Sequence, residues 1–98
     1  MLHRATEMIL RIVQEADDDK LVLRLIGRIQ SEHLDDLKAR IANEPRTIVL
    51  DLSEIKLVNQ AAVRFLRISE DRGIELRNAP AYVREWIRLD GRAGDEVE

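Results

Sequence analysis

The chain has 98 residues, 45% of them hydrophobic and 36% charged, so one folded domain with a modest core is expected rather than two domains or a disordered chain. Its net charge of -3 argues against a sequence-independent nucleic-acid binder, which would carry a basic excess. It contains no cysteine, which excludes disulfides and thiolate metal sites.

Residues 1–7 are polar, lack the apolar stretch of a signal peptide, and are expected to be loose. No apolar run is long enough to span a bilayer, which predicts a cytoplasmic protein without direct membrane insertion. Met8 to Glu15 alternates weakly, with Leu10 and Ile12 facing one way and Arg11 the other, and reads as an edge strand. Three adjacent carboxylates, Asp17 to Asp19, repel one another and favour a solvated turn over Ala16–Asp19 rather than a metal site. Leu21 to Ile29 is then a second strand, antiparallel to the first across that short turn. Leu21, Leu23 and Leu25 share one of its faces, and Gly27 marks a bend or a close backbone approach.

Ser31 reads as the N-cap of a first helix, with Leu34, Leu37 and Ile41 as its buried stripe and Asn43 and Pro45 as its stop. His33, near its start and without neighbouring ligands, reads as an exposed bystander. Thr47 to Leu52 forms a third strand, parallel to the second, and the unbroken apolar run Ile48-Val49-Leu50 suits a strand covered on both faces. A loop over Ser53–Val58 follows, with Ile55, Leu57 and Val58 turned inward.

Asn59 caps a second helix whose inner stripe is Ala62, Val63, Leu66 and Ser69, widened by Phe65 and Ile68. Arg64, Arg67 and Arg72 lie off that stripe, and Gly73 suits the C-cap. Ile74–Leu76 is a short fourth strand. Pro80 opens a third helix with an apolar stripe of Tyr82, Val83, Trp86 and Ile87, which places Trp86 in the core. Asp90-Gly91 is expected to end that helix, leaving 92–98 loose. The whole is an α/β single domain over residues 8–91, with a mixed sheet of about four strands and about three helices.

Three segments in this order resemble a STAS domain, the fold of bacterial anti-sigma factor antagonists. Leu21 to Ile29 resembles the family's second strand with its Gly-x-hydrophobic end, and Ile48 to Val58 its central strand with a hydrophobic-Asp-Leu-Ser pattern. Pro80 to Gly91 resembles its later helix and the glycine after it. Phosphoswitch members of the family carry Asp-Ser-Ser-Gly or Asp-Ser-Thr-Gly after the central loop. The resemblance sets Asn59 at their Asp, Gln60 at the phospho-acceptor Ser, Ala61 at the next hydroxyl and Ala62 at the Gly. Gln30 stands where many members carry Asp. In such members, phosphorylation adds about -1.5 to -2 charges at the surface that docks an anti-sigma factor, often an ATP-binding kinase, and so repels it. Gln60 and Ala61 offer no hydroxyl, so that chemistry is absent here.

The resemblance therefore implies a non-catalytic protein-binding module, possessing the scaffold of a switch without its acceptor. Its partner, an anti-sigma factor or kinase, is expected to meet Ser53, Asn59, Gln60, Ala61, Ala62, Arg64 and Arg67. The alternative it implies is a cytoplasmic subunit or adaptor of a membrane lipid-transport complex. The edge of the first strand also offers a pairing site for a homodimer. Asp51, Glu54 and His33 form no nucleophile–base set, and no Gly-rich phosphate loop or metal-ligand spacing occurs, so neither catalysis nor a cofactor is expected.

Overall fold

The computed structural model describes residues 10–96. Met8 and Ile9 of the expected first strand, together with residues 1–7 and 97–98, lie outside the described residues. Seven elements follow one another: β1 (Arg11–Asp17), β2 (Lys20–Ile29), α1 (Ser31–Ala42), β3 (Thr47–Val58), α2 (Gln60–Asp71), β4 (Glu75–Arg77) and α3 (Ala81–Glu96). The strands form one mixed sheet in the order β1-β2-β3-β4, with β1 antiparallel to β2 and the remaining pairs parallel. This is the expected α/β architecture of four strands and three helices.

Period-two alternation sends Leu21, Leu23 and Leu25 of β2, and Ile48, Leu50 and Leu52 of β3, to one face of the sheet. All three helices pack there, through Leu34 and Leu37 of α1, Val63 and Leu66 of α2, and Val83 and Ile87 of α3. Each fully buried leucine of this core contributes on the order of 1.5–3 kcal/mol over its exposed state. The other face carries a row of Glu15, Val22, Val49 and Glu75 in register, followed by a row of Val13, Arg24, Asp51 and Arg77. Val49 is fully buried there, as its place in an apolar run predicts, although it is not part of the helix-side core.

The hairpin is tighter than the acidic run suggests. β1 extends to Asp17, opposite Lys20, and the turn is only Asp18-Asp19. Asp18 takes a left-handed φ of 59°, which its short polar side chain tolerates.

The segment Ser53–Val58 is a strand and not a loop, because β3 continues along β2 as far as the pair Ile29–Val58. Two register shifts, between Arg24 and Ile26 and between Gly27 and Arg28, accommodate extra residues on β3. Gly27, with a φ of 105°, sits at the second shift and supplies the bend that its place in a strand implied. The bulged course turns Ile55 and Val58 inward as expected, but leaves Leu57 43% exposed.

At the start of α1 the cap is Gln30 rather than Ser31. The His33 ring is half-buried there, and its Nδ1 accepts the Gln30 backbone N–H at 3.1 Å, so His33 closes the helix start rather than standing free in solvent. Gly73 ends α2 as expected. Its φ is 99°, its N–H donates to the Glu70 carbonyl, and the Ile74 N–H reaches back to Ser69, which is a Schellman closure. Asp90-Gly91 does not end α3, which continues to Glu96.

Candidate functional site: the start of α2

Asn59 has extended backbone angles and caps α2, its Oδ1 accepting the Ala62 N–H at 2.8 Å. Its Nδ2 donates to the Ser31 hydroxyl at 3.2 Å, so one side chain fastens the start of α2 to the start of α1. Gln60 is the first helical residue and is exposed, as is Ala61. No acidic residue occupies the first turn of α2, and the positive end of the helix dipole is left without a carboxylate of its own.

The residues singled out from sequence do not all share this surface. Gln60, Ala61 and Arg64 are exposed together at the helix start. Ala62 is fully buried beneath them, so a group larger than its methyl would meet core rather than a partner. Ser53 is exposed on β3, five residues of strand before Val58 and therefore roughly 17 Å short of the helix start. Its N–H donates to Asp51 Oδ1 at 3.0 Å.

The arginines act largely within the molecule. The side chain of Asp90 on α3 is only 7% exposed and receives Arg67 Nε at 2.7 Å, with Arg64 Nη2 at 3.6 Å. Arg67 also reaches Asp71 one turn along α2. With Arg84 paired to Glu70, these contacts lock α2 and α3 antiparallel. Arg67 is thereby a clamp between helices, whereas Arg64 keeps a 58% exposed side chain beside Gln60.

The sequence reading missed an apolar surface next to Gln60. Tyr82, Trp86 and Leu89 recur at helical spacing on α3 and are 37%, 41% and 46% exposed. The Tyr82 and Trp86 rings meet edge to face, with centroids 5.6 Å apart. Trp86 is thus outside the core. The buried stripe of α3 is Val83 and Ile87, and the exposed one lies about 100° round the helix from it. The signal was present as two adjacent apolar stripes on one helix, which is more than a single buried face requires. Gln60, Val63, Trp86, Leu89 and Asp90 line a groove of about 270 Å³ between the helices. Tyr82 is fixed at its other end by its hydroxyl, which donates to the Lys56 carbonyl at 3.1 Å. β4 pairs only with Val49–Asp51, so that hydrogen bond closes part of the β3 edge that β4 is too short to reach.

Asp51 lies within β3, opposite Arg77, the last residue of β4. Partial burial raises the pKa of its carboxyl, but hydrogen bonds from Ser53 and Asn78 and the nearby Arg24 charge outweigh this and hold it below the ordinary aspartate range. Its bonds are structural, tying β3 to the residue after β4. Among the described residues, no group of three His, Asp or Glu side chains is placed to hold a metal ion, and no helix is long and apolar enough to cross a membrane.

No protein-family model matches the chain, and no curated protein matches it by sequence. Solved structures do. The antisigma-factor antagonist STAS domain from Rhodobacter sphaeroides superposes with a TM-score of 0.52 at 18% identity, over 70% of this chain and 84% of that one. The anti-sigma factor antagonist SpoIIAA in its unphosphorylated form superposes with a TM-score of 0.60 at 16% identity, over 85% of this chain and 81% of that one. From the β1–β2 hairpin through the parallel strands to α3, this chain has the STAS fold.

Proposed function

We propose that this chain is a non-catalytic protein-binding module that works as an anti-sigma factor antagonist and docks its partner through the start of α2 without being phosphorylated there. The observation that supports this reading is Gln60. It is a neutral, exposed amide at the first helical position, beside the groove of Val63, Trp86 and Leu89. A kinase needs a hydroxyl, and neither Gln60 nor Ala61 has one, so these two positions stay unphosphorylated. Control then falls to the partner or to the amount of protein. The expected partner is an anti-sigma factor of the ATP-binding kinase type, and its contact surface combines Gln60, Ala61 and Arg64 with the Trp86 stripe.

The test is Gln60→Glu. A carboxylate at the first helical position interacts favourably with the helix dipole, so the fold is expected to hold or gain about 0.3–1 kcal/mol. The same charge imitates a phosphorylated surface, and capture of an anti-sigma factor from native lysate is expected to fall at least tenfold. Equal capture by Gln60→Glu and the parent protein would overturn the assignment of the surface. Recovery of a transporter ATPase subunit in place of an anti-sigma factor would instead favour a role in a lipid-transport complex.

A further inference from the structure

The two edges of the sheet are treated differently. On the β4 side the edge strand is three residues long, and Tyr82 bonds to the β3 backbone beyond it. On the β1 side, seven residues pair with β2 in unbroken register, without a bulge, a proline or a lysine, and among the described residues no strand covers the outer side. An uncovered edge of this length leaves a row of backbone N–H and C=O groups with which another chain can pair. β1 also carries opposite charges at its two ends. Arg11 and Asp17 are both exposed, and among the described residues neither has an ion-pair partner within the chain, whereas Glu15 is engaged by Arg24.

We propose that a second copy of this chain pairs with β1 antiparallel about a two-fold axis at Gln14, joining two four-stranded sheets into one of eight. Antiparallel pairing centred there sets Arg11 opposite the partner's Asp17 and Ile12 opposite the partner's Ala16. The two-fold axis repeats each pair, so both ends of the strand carry a complementary ion pair. Val13 falls opposite Glu15, and Gln14 meets its own symmetry mate. No like charges stand directly opposite one another. The start of α2 and the Trp86 stripe belong to the β3–β4 side, so they remain open in the dimer.

Sedimentation of the full chain across concentrations is expected to show a monomer–dimer equilibrium. Arg11→Asp should weaken it roughly tenfold, since cross-strand charge pairs act twice by symmetry. The exchanged variant Arg11→Asp with Asp17→Arg should restore it, which separates loss of pairing from loss of folding. Because the chain lacks cysteine, Gln14→Cys can be cross-linked cleanly with a short thiol reagent, and Glu85→Cys on α3 serves as the control. Dimer trapped through Gln14→Cys and not through Glu85→Cys is the expected result. A monomer at all concentrations up to the millimolar range overturns the proposal, as does a dimer trapped through Glu85→Cys alone. Failure of the exchanged variant to recover dimer while its circular dichroism stays native also overturns the register.

Discussion

Asn59 shows how much one side chain holds at the start of α2. Its oxygen caps the helix and its amide nitrogen reaches Ser31, whereas Ser31 contributes only the acceptor of the second bond. Asn59→Ala is therefore expected to cost about 1 kcal/mol, and Ser31→Ala about half of that. Urea titration would show both as shifts in midpoint at unchanged slope, and an Asn59→Ala effect no larger than that of Ser31→Ala would mean that the Asn59 cap does not stabilise α2. Asp51 gives a residue-scale prediction in pH. Its folded-state pKa lies below the unfolded value of about 3.9, so the stability it confers is present above that value and drains away as pH falls through the folded one. The gap in stability between the parent and Asp51→Asn should stay constant from about pH 7 to 5 and close below about pH 4. Glu44 and Glu85 are also held low, each by hydrogen bonds from an arginine, but both are present in the two proteins and cancel in the difference. A gap that persisted at pH 2 would mean that the side chain acts through shape and not charge.

The elements differ in how plainly they announce themselves. The core stripes of β2 and α2 and the closure at Gly73 were legible, because period, capping chemistry and a glycine at positive φ all point the same way. The second half of β3 was not. Ser53, Glu54 and Lys56 read as loop because their alternation is broken, and it is broken by bulges that only the pairing with β2 makes sense of. Gly91 misled for the opposite reason. Following Asp90 it looks like a stop, yet the Asp90 carboxylate is clamped by Arg67 and Arg64, and the helix runs on past it. The site was half legible: Gln60 and Arg64 are placed at an exposed helix start, but Trp86 reads as core because an apolar stripe in sequence does not say whether anything covers it. The two glycines should respond in opposite directions to alanine. Gly91→Ala adds a methyl only 3.4 Å from the flexible Arg67 Cδ and gains helix propensity, so it is expected to stabilise by up to about 1 kcal/mol. Gly73→Ala has space but must hold a φ of 99°, and is expected to destabilise by about 1 kcal/mol. Thermal melts of the two variants would show Tm moving up for one and down for the other, and a fall for Gly91→Ala would mean that α3 does not pass through that residue as a regular helix.

The whole molecule separates its two proposed contacts. The open edge of β1 lies at one side of the sheet, and the start of α2 with the α3 stripe lies toward the other. A dimer through β1 would carry two partner surfaces facing away from its two-fold axis, so self-association and partner binding would be energetically independent. The single tryptophan makes this testable, since Trp86 is 41% exposed and lines the groove beside Gln60. Its emission should be that of a partly solvated indole, unchanged by dilution through the monomer–dimer transition. Docking of an anti-sigma factor that lacks tryptophan should shift it to the blue as water leaves the ring. The fitted affinity should be the same for the parent and for Arg11→Asp. A blue shift on self-association alone would place the homodimer contact on α3 and not on β1. An affinity that changed with Arg11→Asp would show that the two surfaces are coupled through the sheet.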